Sequence, residues 1–278
     1  MVRILTDTAS DLTFTEAMRM RVTLVPLDIH FEDGPCPQRD EADFAEFYRR
    51  LQACTSLPQT SRPSPQVYLD AFLEAECCND DIIALCVSGG LSGTYESAVA
   101  AQQMSGYERI HVIDTRQAIL TQRMLVEEAG RLRDEGASAA EIIRQITALR
   151  EKVCVCGVVG TLKYLRKGGR IPASLAVLGD MLRIKPVIVL TGGTLTAMGK
   201  VRSYASGMDI LHRRMEQDGF DPARPVLFGY TSDPALGRQL MEATREKYNL
   251  AHTALYPIGG IIGTHCGTGC MAVAYFRK

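Results

Sequence analysis

The sequence contains a glycine-rich turn whose residue types suit the binding of an anion. Residues 88–94 read Ser-Gly-Gly-Leu-Ser-Gly-Thr, with an apolar run at residues 82–87 before them and a helical pattern at residues 94–101 after them. A turn between a buried strand and a helix directs backbone N–H groups, and the positive end of the helix dipole, at an anion. The hydroxyls of Ser92 and Thr94 add donors, and Gly93 leaves room beside them. The turn therefore predicts a bound phosphate or carboxylate.

Further polar candidates lie outside this turn. Thr60, Ser61 and Arg62 open a stretch rich in serine and proline, and His265 lies in the glycine-flanked segment at residues 263–269. Each residue type also has a purely structural use: serine caps helices, threonine in such a stretch is typical of a turn, and histidine often fills a structural role. Asp7 and Asp11 flank the end of a predicted strand, where aspartates commonly hold a loop or a cap.

The elements around these residues predict a protein of the α/β class. In the first half, strand patterns alternate with helical patterns, which is typical of a largely parallel sheet with both faces covered. Its predicted strands are at residues 2–6, 22–31, 82–87 and 110–113, and its predicted helices at residues 40–53, from 64, from 92, 118–133 and 138–152.

The second half mixes helices with a hairpin, which indicates an α+β arrangement with a mixed sheet. Its predicted strands are at residues 153–160, 184–190, 195–198, 226–230, 254–257 and 270–276, and its predicted helices at residues 173–182, 206–217 and 234–248. We therefore predict two domains: residues 1–150, with parallel strands and the glycine-rich turn, and residues 151–278, with a basic loop and the Gly-Thr-His-Cys-Gly-Thr-Gly segment.

Composition excludes several classes of protein. The net charge of −1 argues against a general nucleic-acid binder, and no apolar run approaches the roughly 18 residues that span a bilayer. The first residues do not resemble a signal peptide, so a cytoplasmic protein without stable membrane insertion is expected. The nine cysteines include no pair of Cys-x-x-Cys motifs, so we predict reduced thiols and no metal site. Cys266 and Cys270 near the suspected site are typical of small, space-filling residues.

One segment carries an unusual concentration of positive charge. Residues 163–202 contain eight basic residues and only one acidic residue, Asp180, so the segment is +7 and the rest of the chain −8. Such a run is either a solvated face or a docking surface for an acidic partner. The basic residues are Lys163, Arg166, Lys167, Arg170, Arg183, Lys185, Lys200 and Arg202.

Taken in order, these motifs resemble the DegV family of bacterial fatty-acid-binding proteins over essentially the whole chain. The combination is specific, although each motif alone is weak. The residues that carry it are Thr6–Leu12, Thr60–Pro65, Ser88–Thr94 with Tyr95, Ser97 and Ala98, Val112–Thr115, Leu165–Ile171, Ile184–Pro186, Lys200–Arg202 and Ile262–His265.

The resemblance implies two α/β domains with one long-chain fatty acid between them, and neither catalysis nor a cofactor. The family resembles the binding subunit of a fatty acid kinase, whose separate ATP-dependent subunit phosphorylates the bound acid to an acyl phosphate. By position, Thr60, Ser61, Arg62, Ser92, Gly93, Thr94 and His265 would bind the ligand. Arg170 and Arg202 would dock the kinase or contact the transferred phosphoryl group.

Three residues depart from the family pattern: Arg62 replaces a usual glutamine, Pro172 a small residue, and Thr268 a usual proline. A cation at residue 62 is expected to influence ligand choice. Two other functions remain open. Ser92 and His265 could serve as nucleophile and base of a lipid hydrolase, although the turn lacks the last glycine of Gly-x-Ser-x-Gly. The glycine-rich turn could instead hold a nucleotide, although no Gly-x-x-x-x-Gly-Lys-[Ser/Thr] motif is present.

Overall fold

The structure is a computed structural model that describes residues 1–172 and 184–278. It has the mixed α/β architecture that the sequence predicts, with a parallel sheet in the N-terminal part and a mixed sheet in the C-terminal part. The strands are β1 (Val2–Asp7), β2 (Val22–Val25), β3 (Asp28–Phe31), β4 (Gly34–Pro35), β5 (Gln59–Ser61), β6 (Asp81–Cys86), β7 (Ile110–Asp114), β8 (Val153–Val158), β9 (Lys185–Thr191), β10 (Thr194–Val201), β11 (Val226–Tyr230), β12 (Thr253–Pro257) and β13 (Met271–Phe276).

The α-helices of the described residues mostly begin and end close to their predicted positions. They are α1 (Phe14–Arg19), α2 (Glu41–Ala53), α3 (Pro65–Cys77), α4 (Thr94–Ser105), α5 (Ile119–Asp134), α6 (Ala139–Leu149), α7 (Lys163–Lys167), α8 (Tyr204–Gln217), α9 (Pro234–Tyr248) and α10 (Gly260–Cys266). The helix predicted at residues 173–182 lies outside the described residues, as do Asp180 and Arg183.

The N-terminal sheet has four parallel strands in the order β2-β1-β6-β7. Alternate side chains of each strand face opposite sides, and both sides are buried. Leu5 and Ile82 pack with α3 and α4, whereas Ile4 and Ile83 belong to a larger core with α5 and α6. Because the strands are parallel, the loops that follow β1, β6 and β7 meet at one edge of the sheet.

The single strand predicted at residues 22–31 is wrong. Two strands, β2 and β3, occupy this stretch and belong to different sheets, with Pro26 between them. Proline has no backbone N–H and cannot donate to a sheet ladder, so it commonly marks the end of a strand. Strand β3 forms a small antiparallel sheet with β4 and β5, and β5 carries Thr60.

The C-terminal sheet has six strands in the order β10-β9-β8-β13-β11-β12, antiparallel except for the pair β11 and β12. One face is covered by α8 and α9, whose Leu211 and Leu240 pack with Phe228. The other face, with Val155 and Ala272, joins the core that contains α5 and α6. Helix α5 therefore packs between the two sheets, since it contacts strands of both, and α6 packs beside it against β6. Every strand before residue 150 is in the N-terminal sheets; the domain boundary itself stays a prediction.

The segment at residues 263–269 is a loop only in its second half. Its first residues form the end of α10, which packs against α2. A β-carbon at Gly263 would come within 2.8 Å of Phe47 Cε1, and one at Gly260 within 2.6 Å of Phe47 Cγ. Gly260 and Gly263 therefore serve close packing of a short helix, whereas Gly267 and Gly269, with positive φ, form the loop that follows it.

Candidate functional site

A cavity lies between the carboxyl-end loops of the parallel sheet and one face of the six-stranded sheet. The loops contribute Ala9, Val87, Leu91, Ser92 and Ala118, and helix α5 contributes Ile119. The remaining described lining residues come mainly from the six-stranded sheet, α10 and the segments next to them: Thr60, Val155, Cys156, Gly157, Val158, Val159, Leu165, Arg170, Ile188, Leu190, Leu195, Ile258, Ile261, Ile262, His265, Cys266, Cys270, Met271 and Ala272. The wall is overwhelmingly apolar.

The polar side chains of this wall are few and make two contacts, one between Thr60 and His265 and one between Arg170 and the backbone next to Ser92. Apart from Gly157 of β8 and the cysteines, the only described lining residues that are not hydrophobic are Thr60, Ser92, Arg170 and His265. Thr60 Oγ1 lies 3.2 Å from His265 Nε2, and Arg170 Nε donates to the carbonyl oxygen of Leu91, next to Ser92, at 3.0 Å. Arg170 also lines two surface depressions beside the cavity, one with the glycine-rich turn and one with Thr60 and His265. The polar end therefore meets the protein surface.

The glycine-rich turn holds Ser92 at the start of α4. The backbone N–H groups of Leu91 and Ser92 both donate to the Ser88 carbonyl oxygen, at 3.0 and 3.1 Å, which closes a tight turn. Ser92 Oγ lies 2.8 Å from Thr94 Oγ1, and Thr94 is fully buried behind it. The residue that precedes α4 is Gly93, with no side-chain cap. Ser92 therefore makes no side-chain cap bond to α4.

The turn is also tied to the hairpin of the C-terminal sheet. Ser88 Oγ donates to the Gly193 carbonyl oxygen at 2.7 Å, and Gly193 lies in the turn between β9 and β10. Gly89 N–H donates to Asp114 Oδ1 at 3.3 Å, so β7 holds the other side. These bonds fix the turn from two directions, which limits the movement of Ser92.

Helix α10 presents His265 and is held from the N-terminal part of the chain. Asp11 Oδ1 accepts a hydrogen bond from Gly259 N–H at 2.9 Å, and Tyr48 OH donates to the Ile258 carbonyl oxygen at 2.8 Å. Gln38 Oε1 accepts from Gly260 N–H. Asp7 accepts hydrogen bonds from Val87 N–H and Ala9 N–H. Both aspartates therefore hold loops, as the sequence predicts. These contacts set the position of the helix start.

His265 is neutral at physiological pH. Burial, together with the Arg170 cation nearby, lowers the pKa of His265 to about 4. Its Nδ1 is buried and has no hydrogen-bond partner among the residues that the structure describes. The ring edge at Nδ1 faces Gly168, where a β-carbon would overlap it. A neutral imidazole beside Thr60 can donate one hydrogen bond to a ligand without adding charge.

The other predicted ligand residues lie around this group rather than in the cavity wall. Ser61 is exposed and follows Thr60 in β5, so its side chain points to the opposite face. Arg62 is exposed, and its guanidinium donates to the Gly93 carbonyl oxygen at 3.1 Å. Arg62 thus covers the start of α4 from outside. Gly93 borders the depression at the turn.

The two arginines assigned to docking lie at different ends of the β9–β10 hairpin. Arg170 borders the depression that contains Thr194, the first residue of β10, whereas Arg202 is exposed just beyond its last residue. A strand rises about 3.3 Å per residue, so Arg202 lies on the order of 20 Å from Thr194. The structure therefore brings Arg170, but not Arg202, to the polar end of the cavity.

An apolar tunnel between the domains is expected from the family resemblance, but the sequence reasoning named neither its individual wall residues nor Arg170 as one of them. The wall residues lie on at least seven elements and connecting segments, and no sequence pattern shows which of two buried faces borders a void. Arg170 had one usable signal: it follows two glycines that end a short basic helix near the predicted site.

The geometry at Ser92 differs from that of a serine hydrolase. Among the described residues, Ser92 Oγ bonds to Thr94 and His265 Nε2 contacts Thr60, and no carboxylate pairs with His265 Nδ1. The described residues also bring no three His, Cys, Asp or Glu side chains together in a metal-binding group. Within the same residues, no helix has both the length and the apolar character needed to cross a membrane.

The α/β fold described above, with one parallel and one mixed sheet, is the fold of solved DegV family proteins. All residues, 1–278, match the family described as "Uncharacterised protein, DegV family". The chain belongs to the DegV family. Its resemblance to that family in sequence is therefore confirmed.

Solved structures agree with this assignment. The chain is similar to a Thermus thermophilus DegV family protein described as binding fatty acid, with 28% identity, a TM-score of 0.90, and coverage of 100% of this chain and 99% of that one. It is also similar to a stearic acid-binding protein from Eubacterium ventriosum, with 26% identity, a TM-score of 0.88 and the same coverage.

A third similarity concerns the fold alone. The Fatty Acid Kinase (Fak) B3 protein of Streptococcus pneumoniae, whose structure is loaded with linoleic acid, shares 24% identity at a TM-score of 0.86, with 100% of this chain and 99% of that chain covered. Structural neighbours of this chain thus bind fatty acids.

Proposed function

We propose that this protein binds one long-chain fatty acid, with the tail in the cavity and the carboxylate at Thr60, Ser92 and His265. The observation that supports this most is the distribution of polarity along the cavity. Its described wall is hydrophobic except around Arg170, which borders Ser92 in one depression and Thr60 with His265 in the other. An amphiphile with a long apolar tail and one polar head matches that distribution, whereas a nucleotide or a sugar does not.

The energetics suit such a ligand. Each buried methylene group contributes about 0.8 kcal/mol, so a long tail supplies on the order of 10 kcal/mol before the cost of ordering. A buried carboxylate needs hydrogen-bond donors, because burial of a bare charge is very unfavourable. The hydroxyls of Thr60 and Ser92, the neutral imidazole of His265 and the start of α4 supply them. Thr94 orients Ser92, Arg62 and Gly93 border the head group, and Ser61, on the opposite face of β5, does not contact it.

The same arrangement suits a non-catalytic carrier that presents its ligand to another enzyme. A carboxylate held mainly by neutral donors keeps its negative charge and remains a nucleophile. Because the polar end meets the surface at Arg170, a separate ATP-dependent kinase can reach it and phosphorylate the acid to an acyl phosphate. Arg170, together with the more distant Arg202 and the basic residues around α7, provides a positively charged docking face. The carrier needs no cofactor of its own.

A titration of delipidated protein tests fatty-acid binding directly. Stearate is titrated in competition with a fluorescent polyene fatty acid, and methyl stearate, which has the same tail and no carboxylate, is the matched control ligand. We expect one stearate per chain, and at least tenfold weaker binding of the ester because two or three hydrogen bonds to the charged head are lost. Failure to take up stearate, or equal affinity for acid and ester, would contradict the proposal.

A further inference from the structure

Two cysteine thiols lie in the wall of the cavity and contact each other. Cys266 ends α10 and Cys270 precedes β13, and both border the void. The loop between them turns through Gly267 and Gly269, whose φ angles of 71° and 74° suit glycine. The Cys270 thiol donates a hydrogen bond to the Cys266 carbonyl oxygen, with Sγ 3.2 Å from that oxygen. The pair follows His265 in the chain and packs with Val159 and Ile188, which belong to the apolar part of the cavity wall.

The surroundings of the two sulfur atoms are different. The hydrogen bond from the Cys266 thiol lowers the pKa of Cys270, and donors at Gly160 and Thr231 act in the same direction. Thr231 also accepts a hydrogen bond from Cys270 N–H at 2.8 Å, which fixes this residue. Donation to its neighbour, together with burial, raises the pKa of Cys266 well above its ordinary value. Both directions favour Cys270 over Cys266 as the thiol that loses its proton first.

We propose that Cys270 and Cys266 form a dithiol site that reduces fatty acid hydroperoxides bound in the cavity, with Cys270 as the attacking thiolate and Cys266 as the resolving thiol. This inference rests on the proposed fatty-acid binding. An acyl chain that carries a hydroperoxide enters the same apolar cavity, which brings its O–O bond to the thiol pair at high effective concentration. Of the seven other cysteines, only Cys156 borders the cavity, and its hydrogen-bonded partner Cys154 does not, so no other pair has both thiols in the wall.

The reaction balances in two steps. The Cys270 thiolate attacks the terminal oxygen of the hydroperoxide, the O–O bond breaks, and the alkoxide takes the proton that Cys270 had released, which gives a hydroxy fatty acid and a sulfenic acid. Cys266 sulfur then attacks Cys270 sulfur and forms the disulfide. The expelled hydroxide takes the Cys266 proton and leaves as water. One hydroperoxide and two thiols therefore yield one hydroxy acid, one water and one disulfide.

Peptide mapping can follow the reaction, because the tryptic fragment 248–277 contains Cys266 and Cys270 and no other cysteine. The parent protein for this test carries Cys77→Ser and Cys78→Ser, which removes the exposed thiols. It is treated with linoleic acid hydroperoxide in one arm and with hydrogen peroxide at the same concentration in the other. We expect the acyl hydroperoxide to form the disulfide about tenfold faster, with one hydroxy acid released per chain.

Variants separate the two roles. Cys270→Ser should abolish the hydroxy acid, whereas Cys266→Ser should still give one equivalent and leave a sulfenic acid at Cys270 that dimedone traps. Cys36→Ser, a buried cysteine away from the wall, is the control and should react like the parent. The inference would be overturned if both thiols of fragment 248–277 could still be alkylated after treatment with linoleic acid hydroperoxide. It would also be overturned if the two peroxides formed the disulfide at equal rates. Stearate binding by the same samples shows whether the proposed function stands without it.

Discussion

Thr60 and His265, separated by 205 positions in the chain, meet with Thr60 Oγ1 3.2 Å from His265 Nε2. Thr60 comes from the short strand β5 of the small antiparallel sheet, and His265 from α10, which packs between that sheet and the cavity. The contact joins the N-terminal and C-terminal parts of the chain at the polar end of the cavity. Both side chains are partly buried, so a ligand that reaches one meets the other.

Removal of the Thr60 hydroxyl should weaken fatty-acid binding while the fold is retained. Thr60→Val keeps the β-branched shape and strand preference, but it loses one donor to the carboxylate and the contact to His265. We expect about tenfold weaker stearate binding, since a hydrogen bond to a charged group contributes about 1.5–3 kcal/mol. Ser61→Ala, on the opposite face of β5, is the matched control and should bind as the parent does. Unchanged affinity in Thr60→Val would exclude Thr60 from the head-group site.

A methyl group at residue 168 should displace the His265 ring. Gly168 has φ −77°, which alanine adopts without strain, yet its β-carbon would overlap His265 Nδ1. We therefore expect Gly168→Ala to lower stearate affinity about tenfold, the effect of a hydrogen bond to a charged group. Gly130→Ala is the control, because a β-carbon there meets only Arg133 Nη2, at 3.9 Å. Stearate titration of both variants measures the effect, and circular dichroism checks that the fold is retained. An affinity of Gly168→Ala equal to that of the parent would count against a role for the imidazole.

The buried carboxyl of Asp11 should make stability fall as pH rises. Burial raises the pKa of Asp11 from 3.8 to about 7, against the opposing effect of its hydrogen bond from Gly259 and of nearby Arg123. Between these two pKa values the folded protein keeps a proton that the unfolded chain releases. The free energy of unfolding then decreases with pH, by at most about 1.4 kcal/mol per pH unit for this group.

The substitution Asp11→Asn tests whether Asp11 makes the free energy of unfolding decrease as pH rises. Asparagine can still accept from Gly259 and tolerates the φ of 56° at this residue. Urea unfolding at pH 5 and pH 7.5 should show a smaller loss of stability with rising pH in the variant. Asp7, whose pKa burial raises to about 6, remains in both proteins and contributes equally. An identical pH dependence in variant and parent would show that Asp11 does not keep its proton on folding.

Several features of the fold could be predicted from the sequence, because they depend on local patterns. The strand before the glycine-rich turn, the Ser64-Pro65 start of α3 and the hairpin turn at Gly192-Gly193 all agree with the structure, since spacing and turn residues are local properties. The prediction of one strand around Pro26 was wrong because the alternation of apolar residues continues across the proline, although the two strands belong to different sheets. The helix at His265 was hidden because its glycines are selected by packing against Phe47 and Tyr48, far away in sequence.

The candidate site was predictable in part for the same reason. Thr60, Ser92 and His265 were recognised through motifs, and the structure places all three in the wall of one cavity. Their distances could not be read from the chain, because each side chain is carried by a different element. The apolar wall depends on which faces of two sheets approach each other, and that is a tertiary property without a local signal.

The two basic residues assigned to docking should affect phosphorylation more than binding. Arg202→Ala, distant from the polar end of the cavity and outside its described lining, should leave stearate affinity unchanged and slow acyl phosphate formation by an ATP-dependent fatty acid kinase subunit. Arg170→Ala should slow it as well, because Arg170 borders both openings of the polar end. Acyl phosphate is measured as the hydroxamate after trapping with hydroxylamine. Normal rates in both loaded variants would refute the docking role, and Arg49→Ala, a surface arginine on α2, is the control.

Native mass spectrometry of the freshly purified protein, with extraction and identification of any lipid, tests the central claim most directly. The account predicts one fatty acid per chain, of long-chain length, that is released on denaturation and replaced by added stearate. A protein that carries no lipid, and that after delipidation takes up no fatty acid, would contradict it. In that case labelling of Ser92 by a fluorophosphonate becomes the next measurement, since a hydrolase would then be the better account of Ser92 and His265.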